Sequence, residues 1–398
     1  GTLQMQDAST LWALVSDNES GIHRVKIGQY LGGYFSKDAK GRIVIGKDTR
    51  ISSSMFEHAL AAGICSGGSD AYLMHVGPTP AIAYLTRTQN FNCGVMISAS
   101  HNPYYDNGIK IFDENGQKFP ADMEARLEDF IDDEFNLQLV SDTKIGEIIE
   151  YTSGLDSYLD WMDGLFDVDL SGYTVVIDAA NGSATTTAER LLRRKKANVM
   201  ALFNKPNGVN INNHCGSTHA ESLQKAVLEH KADFGFAFDG DADRLIAVDD
   251  KGNLVDGDKI MYACGSYLKD KKALKQNTIV ATVMSNLGLF KALNQNNISV
   301  VQTQVGDKYV YQRMLEGDYT LGGEQSGHII FKDLATTGDG LLTAMKLIEV
   351  VAKTKESLAS LVGPCKSYPQ VLKNVPVKNK KTVLEDKEIN KMIDDINV

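Results

Sequence analysis

The sequence predicts an α/β fold with parallel or mixed sheets covered by helices. Apolar runs typical of short buried strands recur along the chain, and polar loops follow them. Stretches with the periodicity of amphipathic helices alternate with these strands, a pattern typical of sheets with helices on their faces. Strands are expected at residues 43–45, 94–97, 175–177 and 278–281, and helices at 55–65, 155–166, 261–268 and 341–351.

Breaks in this pattern predict three consecutive α/β domains. A chain of 398 residues has room for roughly two to four domains. One break falls near residues 151–154, before an expected helix, and another near 255–258, where a further helix begins. The polar, lysine-rich stretch 369–381 is expected to be a linker. The predicted domains are residues 1–152, 153–256 and 257–368, and residues 369–398 are expected to begin a fourth.

Composition narrows the class of function. The chain is 43% apolar and 23% charged, which is ordinary for a globular protein. A net charge of −10, with no basic run longer than residues 193–196, argues against a nucleic-acid surface. The five cysteines are scattered without paired spacing, which fits a reducing cytosol. Neither a signal peptide nor an apolar run long enough to cross a bilayer is visible, so we predict a cytoplasmic protein that does not use a membrane.

Ser100 is the candidate nucleophile. The apolar run 94–97 stops at small and polar residues closed by Pro103, which predicts a loop just past the carboxyl end of a strand. Open α/β sheets place their chemistry at that edge. His101 is adjacent in sequence, so its side chain is expected to point away, and adjacency does not make a Ser–His pair. The alternative is a surface turn that caps a helix.

Asp239, Asp241 and Asp243 alternate between two apolar runs that are expected to be strands. Where the backbone turns sharply, three such carboxylates can converge on one hard cation, Mg²⁺ or Ca²⁺. An EF-hand would need Gly and Glu at its sixth and twelfth positions, which here hold Arg244 and Asp250. An acidic solvated turn is the other alternative. An arginine beside a metal is the usual equipment for stabilising a phosphoryl group in transfer.

A third loop, GGEQSGH at residues 322–328, lies between two possible strands. Glu324, Gln325, Ser326 and His328 offer both hydrogen-bond donors and acceptors, a mixture that suits sugar hydroxyls. Because the loop has no arginine, it is not expected to bind phosphate by itself. A glycine-rich hairpin without a binding role would look similar.

Together the three loops resemble those of the α-D-phosphohexomutases. That family has a serine loop ending in Ala-Ser-His-Asn-Pro, a metal loop Asp-Gly-Asp-x-Asp-Arg and a sugar loop Gly-Glu-x-Ser-Gly-His, and all three occur here in the same order. The variable position of the sugar loop is Gln in the phosphoglucosamine mutase branch and usually Met in the phosphoglucomutase/phosphomannomutase branch. With Gln325 at this position, the chain resembles the phosphoglucosamine mutase branch. Further similar stretches are 45–52, 78–80, 210–219 and 305–310.

The resemblance implies a mutase that interconverts glucosamine 6-phosphate and glucosamine 1-phosphate. Ser100 would carry a phosphoryl group and complete the Mg²⁺ shell of the three aspartates. A 1,6-bisphosphate would be the intermediate, and glucosamine or glucose 1,6-bisphosphate the activator. Lys110 and His328 would transfer protons, and Arg244 would contact phosphate. The substrate-binding residues implied are His101, Glu324, Gln325, Ser326 and His328.

Two departures from the family keep other functions open. The family's N-terminal Gly-Thr-Asp-Gly-x-Arg-Gly has no counterpart after Gly1 and Thr2. The chain stops at Val398, soon after residues 373–377, where the first strand of a fourth, phosphate-binding α+β domain is expected. The alternatives are a non-catalytic relic that binds metal and sugar phosphate, a phosphoglucomutase/phosphomannomutase, and a metal-dependent phosphatase. The expected partner is a small phosphosugar, bound by a monomer or homodimer.

Overall fold

The computed structural model describes residues 4–7, 10–14, 20–132, 137–371 and 386–396. The chain divides into two compact units, residues 1–366 and residues 367–398. The smaller unit contains one described helix, Lys387–Ile396, and the strand expected at residues 373–377 lies outside the described residues. The larger unit contains three sheets.

The first sheet has a parallel centre and antiparallel strands at one side. Its strands are β1 (Gln4–Asp7), β2 (Thr10–Leu14), β3 (Arg42–Lys47), β4 (Asp70–Val76), β5 (Cys93–Ile97), β6 (Asp106–Phe112) and β7 (Ile148–Glu150). Their order across the sheet is β1-β2-β6-β5-β3-β4-β7. Strands β5, β3, β4 and β7 run parallel, and β6 returns antiparallel beside β5.

The second and third sheets repeat this plan with fewer strands. The second contains β8 (Thr174–Asp178), β9 (Asn198–Leu202), β10 (Phe234–Phe238), β11 (Leu245–Val248) and β12 (Leu254–Val255), and the third contains β13 (Thr278–Thr282), β14 (Ser299–Thr303), β15 (Leu321–Gly323) and β16 (Ile329–Phe331). Their orders are β12-β11-β10-β8-β9 and β14-β13-β15-β16. In each sheet one parallel strand, β10 or β15, turns back into an antiparallel neighbour, β11 or β16.

Along the chain, helices alternate with the strands of all three sheets. They are α1 (Ser20–Phe35), α2 (Ser53–Gly67), α3 (Thr79–Thr88), α4 (Ala121–Ile131), α5 (Ser153–Leu165), α6 (Ala188–Arg194), α7 (Glu221–His230), α8 (Gly257–Asp270), α9 (Leu287–Gln295), α10 (Asp307–Glu316), α11 (Gly340–Thr354) and α12 (Leu358–Val362). Among the described residues, no helix is long and apolar enough to cross a membrane.

One apolar core joins the three sheets. It includes Val44 of β3, Phe236 of β10 and Ile279 of β13, all fully buried. Because strands of every sheet contribute side chains to the same cluster, the loops at the strand ends are held at fixed distances from one another.

The fold class predicted from the sequence is confirmed. The structure contains a strand or helix at each of the eight places named above, usually one to several residues longer, although the helix expected at 155–166 ends at Leu165. The strand expected at residues 373–377 stays a prediction, because it lies outside the described residues. The strands of each sheet fall within one of the three predicted domains, because β7 ends at Glu150 and β12 at Val255. The domain limits themselves stay a proposal, which this distribution of strands supports.

Candidate active site

The three loops singled out in the sequence occupy equivalent places in their sheets. The serine loop (residues 98–105) joins β5 to β6, the aspartate loop (239–244) joins β10 to β11, and the third loop (324–328) joins β15 to β16. Each loop therefore follows the carboxyl end of a strand that belongs to the parallel part of its sheet. Such edges are where open α/β sheets bind ligands.

The Ser100 hydroxyl faces the aspartate loop. Its Oγ donates a hydrogen bond of 2.6 Å to Oδ2 of Asp239, and the residue is only 7% exposed. Ser100 also has a φ of +50°, a left-handed conformation that costs a non-glycine residue roughly 1–2 kcal/mol. Surrounding contacts must hold such a backbone in place, and such outliers cluster at functional sites.

Four side chains without a role predicted from the sequence hold the Ser100 backbone, three directly and Asp48 through two of them. The Arg50 guanidinium is buried and donates to the Ser100 carbonyl at 3.1 Å, as does the Asn212 amide at 2.8 Å. Asp48 accepts from Nε of Arg50 at 2.8 Å and from the Ser98 hydroxyl at 2.7 Å, and that hydroxyl accepts from the Ser100 N–H at 3.0 Å. The sequence offered one signal for these residues, since stretches 45–52 and 210–219 are similar to the family. Neither stretch by itself indicates a contact between residues of different sheets.

His101 lies beside the nucleophile, and the expectation that its side chain points away was wrong. Its Nδ1 lies 3.5 Å from Oγ of Ser100 and 3.3 Å from an Arg244 guanidinium nitrogen. The Ser100 hydroxyl has its short bond to Asp239, so the structure does not form a Ser–His pair. Burial and then the Arg244 charge lower the pKa of His101. The left-handed backbone at Ser100 turns the next side chain back, which adjacency in sequence does not reveal.

The three aspartates converge as the spacing predicted. All three are buried, and one carboxylate oxygen of each lies within 4.8 Å of the others. The turn depends on Ala242 at φ +57° and on Gly240, where an added Cβ would overlap the Ser100 carbonyl. The flanking elements are strands, which excludes the helix–loop–helix of an EF-hand. Burial also excludes a solvated acidic turn.

The charge of the aspartate cluster is only partly balanced by protein. Nζ of Lys110 lies 2.6 Å from Oδ2 of Asp241 and 2.9 Å from Oδ2 of Asp243. Burial alone would lower the pKa of Lys110, but these two carboxylates outweigh it and raise that pKa above its ordinary value. Burial, reinforced by Asp243 and Asp241, raises the pKa of Asp239.

Two oxygens of the cluster are available to a cation. Among the described residues, Oδ1 of Asp241 and Oδ1 of Asp243 are buried and have no hydrogen-bond partner. An unpaired buried carboxylate oxygen is costly, and hard divalent cations prefer carboxylate oxygen. The donor set therefore fits a bound metal ion. Thr79, which the sequence analysis also left without a role, donates its hydroxyl to Asp241 and fixes that carboxylate.

Arg244 links the serine and aspartate loops. Its backbone N–H donates to Oδ1 of Asp239 at 3.3 Å, and its guanidinium reaches both His101 and, at 4.0 Å, Asp243. One quarter of its side chain is exposed. A cation that lies beside the nucleophile and remains partly accessible can contact an anionic group brought there.

The third hairpin (residues 321–331) is less enclosed. Glu324 and Gln325 are half-buried and Ser326 is exposed. Glu324 Oε1 accepts from the Gly306 N–H at 3.1 Å, and the Gln325 amide lies 3.4 Å from Asp256. At Gly327, φ +95°, the hairpin packs against Leu245, the first residue of β11 directly after the aspartate loop, and any side chain there would overlap the Leu245 carbonyl.

His328 connects the third hairpin to the aspartate cluster. It is 3% exposed, and its Nδ1 lies 3.7 Å from Oδ2 of Asp243. Burial alone would lower the pKa of His328, but Asp307 and Asp243 raise it more. Ser100, His101, Lys110, Arg244, His328 and the three aspartates thus form one connected network, which Glu324, Gln325 and Ser326 join through the hairpin. Their individual roles stay predictions.

Comparison with known proteins identifies the family. Sequence models of phosphoglucomutase/phosphomannomutase alpha/beta/alpha domains I, II and III match residues 21–138, 156–252 and 256–368. A phosphoglucosamine mutase of Lachnoclostridium phytofermentans is 47% identical over 92% of this chain and 82% of its own length. One of Desulforamulus reducens is 50% identical over 88% of this chain and 80% of its own length.

Solved structures show the same fold. A phosphoglucomutase/phosphomannomutase family protein of Burkholderia thailandensis superposes with a TM-score of 0.76 at 25% identity, covering 90% of this chain and 79% of its own. The N-acetylphosphoglucosamine mutase of Aspergillus fumigatus, in complex with GlcNAc-6P and magnesium, gives a TM-score of 0.58 at 18% identity over 73% of this chain and 77% of its own. The sequence relatives decide the assignment: the chain belongs to the phosphoglucomutase/phosphomannomutase family, the α-D-phosphohexomutases.

Proposed function

We propose that the chain is a phosphoglucosamine mutase, which interconverts glucosamine 6-phosphate and glucosamine 1-phosphate. The observation that carries the proposal is the position of the Ser100 hydroxyl, 2.6 Å from Asp239 in a buried cluster of three aspartates. His101 lies beside this hydroxyl and also contacts the Arg244 guanidinium. The names of the sequence relatives support the amino-sugar substrate, and Gln325 at the variable position of the third hairpin agrees with them.

In the proposed reaction Ser100 is phosphorylated. The O–P bond to Ser100 Oγ breaks as a hydroxyl oxygen of glucosamine 6-phosphate bonds to the same phosphorus, which gives glucosamine 1,6-bisphosphate. After the intermediate turns round, its other phosphoryl group returns to Ser100 and leaves glucosamine 1-phosphate. Because one phosphoryl group is lent and one returned, a trace of glucosamine or glucose 1,6-bisphosphate is enough to prime the serine.

The chain's own side chains supply positioning and charge for this transfer. Arg244 would contact the oxygens of the transferring group. Lys110, held as a cation by Asp241 and Asp243, would donate to the departing Ser100 oxygen, and His328 would exchange a proton with the sugar hydroxyl. Glu324, Ser326 and His101 would orient the sugar. Each role rests on the positions described above and on the family motifs.

Asp239, Asp241 and Asp243 would hold a Mg²⁺ ion, and an oxygen of phosphorylated Ser100 would join them. Such an ion supplies neutralisation of charge on the phosphoryl oxygens. The unpartnered oxygens of Asp241 and Asp243 support the site, and the magnesium in the Aspergillus enzyme supports the choice of metal. The cytoplasmic location and the monomeric or dimeric state predicted from the sequence belong to the same proposal.

The test is to phosphorylate the chain and follow the group. Purified chain is incubated with Mg²⁺ and glucose 1,6-bisphosphate, then with glucosamine 6-phosphate, and the serine peptides are mapped by mass spectrometry. We expect one phosphoryl group on Ser100, lost to the sugar as glucosamine 1-phosphate forms, and a loss of turnover by several powers of ten in Ser100→Ala.

Ser141→Ala, at an exposed serine of the same domain, is the matched control and should behave as the parent. Release of free phosphate in place of glucosamine 1-phosphate would indicate a phosphatase. A chain that transfers phosphoryl groups while the Ser100 peptide stays unmodified would refute the proposal.

A further inference from the structure

The segment Pro78-Thr79-Pro80 leads into helix α3 of the first domain and lies against the aspartate loop of the second. Thr79 is the first residue of the helix and is 1% exposed. Pro78 has an extended backbone at φ −70° and ψ 150°, and proline rings restrict the backbone on both sides of Thr79. The Thr79 side chain therefore starts from a rigid turn.

Thr79 holds Asp241 at two points. Its backbone N–H, one of the donors that the first turn of a helix leaves unpaired, donates to the Asp241 carbonyl at 3.0 Å. Its hydroxyl donates to Oδ2 of Asp241. An ionised carboxylate only accepts hydrogen bonds, so the hydroxyl is the donor. A residue of the first domain thus fixes both the backbone and the side chain of Asp241.

These bonds leave one of the two Asp241 oxygens for a cation. Oδ2 accepts from Thr79 and, at 2.6 Å, from Nζ of Lys110. Oδ1 is buried and, among the described residues, has no hydrogen-bond partner. Because two donors occupy Oδ2 and hold the plane of the carboxylate, Asp241 is prepared to bind a metal ion through Oδ1 alone.

The number of oxygens that a carboxylate presents affects the choice between cations. Mg²⁺ requires near-octahedral geometry with short bonds, which one oxygen from each carboxylate can satisfy. Ca²⁺ takes about six to eight oxygens and often binds a carboxylate through both of its oxygens. A carboxylate restricted to one oxygen therefore favours the smaller ion.

We propose that Thr79 is a positioning residue that sets the metal specificity of the site: it keeps Oδ2 of Asp241 occupied, so that Asp241 binds through Oδ1 alone and Mg²⁺ is preferred over Ca²⁺. The inference rests on the proposed metal-binding role of the three aspartates. It gives the start of α3, in the first domain, control over a metal ligand of the second. Thr79 does not touch the reacting atoms in this scheme.

Binding of Mg²⁺ and of Ca²⁺ to the full chain, each measured by isothermal titration calorimetry, tests this inference without turnover. Thr79→Val keeps the shape of the side chain and removes the donor, so the Asp241 carboxylate can rotate and present both oxygens. We expect the Mg²⁺ affinity to fall by about 10- to 100-fold, the usual effect of losing a residue that hydrogen-bonds to a metal ligand. The Ca²⁺ affinity should fall by less, so the Mg²⁺-to-Ca²⁺ affinity ratio should decrease. Thr79→Ser, which keeps the hydroxyl, should retain the parent ratio.

Thr86→Val is the matched control, because Thr86 is equally buried in α3 but donates its hydroxyl to the Ile82 carbonyl of its own helix. It should bind both ions as the parent does. Thr79→Cys, whose thiol is a weaker donor, should lower the affinity ratio by a smaller factor, and it decides the matter if Thr79→Val does not fold.

An unchanged affinity ratio in Thr79→Val, or in Thr79→Cys where it takes the place of that variant, would overturn the inference even if both affinities fell together. A parent chain that prefers Ca²⁺ would also overturn it. A parent chain that binds neither ion would instead refute the proposed metal site.

Discussion

The serine and aspartate loops differ from the third hairpin in how their polar groups are held, although all three follow parallel strands. Ser100 and the three aspartates are at most 7% exposed, and Lys110, Thr79 and Arg50 bond to them directly. In the third hairpin Glu324 and Gln325 are half-buried, Ser326 is exposed, and the described side-chain hydrogen bonds of Glu324 and Gln325 are 3.1 Å and 3.4 Å long. The first region is fixed by the protein, whereas the second leaves polar groups facing outward.

The difference follows from the charge each region carries. Groups that stabilise charge in a transition state act best when they are already oriented and shielded from water, because no reorganisation is then needed during the reaction. Groups that recognise neutral hydroxyls contribute about 1 kcal/mol per hydrogen bond and lose little by being hydrated beforehand. The comparison therefore predicts large effects of substitution in the first region and small ones in the second.

The largest effect on folding is expected from Lys110→Met. Removing the ammonium leaves Asp241 and Asp243 buried without their cation, and breaking such a buried pair costs about 3–5 kcal/mol. In chelator the free energy of unfolding, measured with urea, should fall by about that amount. Mg²⁺ should restore more stability to the variant than it adds to the parent, since the ion replaces the lost charge. Lys332→Met, at an ion pair of the third domain, is the control. Equal Mg²⁺ stabilisation of parent and Lys110→Met would contradict this account.

A change in metal affinity is expected from Asp241→Asn. The amide keeps the shape of the side chain but removes one anionic ligand. Mg²⁺ affinity should therefore fall by more than about a hundredfold, which exceeds the usual loss when a residue that only hydrogen-bonds to a metal ligand is replaced. Activity should fall in parallel, and calorimetry with and without sugar phosphate separates the two effects. Asp249→Asn, at a buried turn beyond β11, controls for the loss of a carboxylate. Unchanged Mg²⁺ affinity in Asp241→Asn would place the metal elsewhere.

The smallest effect is expected from Gln325→Met. The half-buried amide is lost without disturbing the aspartate cluster, so Mg²⁺ affinity and stability should stay near those of the parent. An unpaired polar group costs about 1–3 kcal/mol, so the preference for glucosamine 6-phosphate over glucose 6-phosphate should change by roughly ten- to a hundredfold in kcat/KM. If the ratio does not move, Gln325 does not set the choice of sugar. If the parent already prefers glucose 6-phosphate, the substrate proposed here is wrong.

Periodicity and motif spacing predicted a large part of the fold and of the site. The strand before Ser100 and the two strands around the aspartates were confirmed, because apolar runs this short that end in polar turns are typical of buried strands. The convergence of Asp239, Asp241 and Asp243 was predictable, because the side chains of alternate residues can point toward one place when the backbone turns sharply. The orientation of His101 was missed, since it depends on a left-handed φ at Ser100 that no local pattern marks.

What the sequence alone determined is local: which segments are strands and helices, which residue types sit at strand ends, and which family carries those loops. These follow from the spacing of apolar and polar side chains within a few residues. Only the tertiary structure decided that Arg50 and Asn212 hold Ser100 and that Lys110 pairs with two aspartates. Those contacts join residues far apart in the chain, and they arise because one apolar core fixes the three sheets with their strand ends facing a common site.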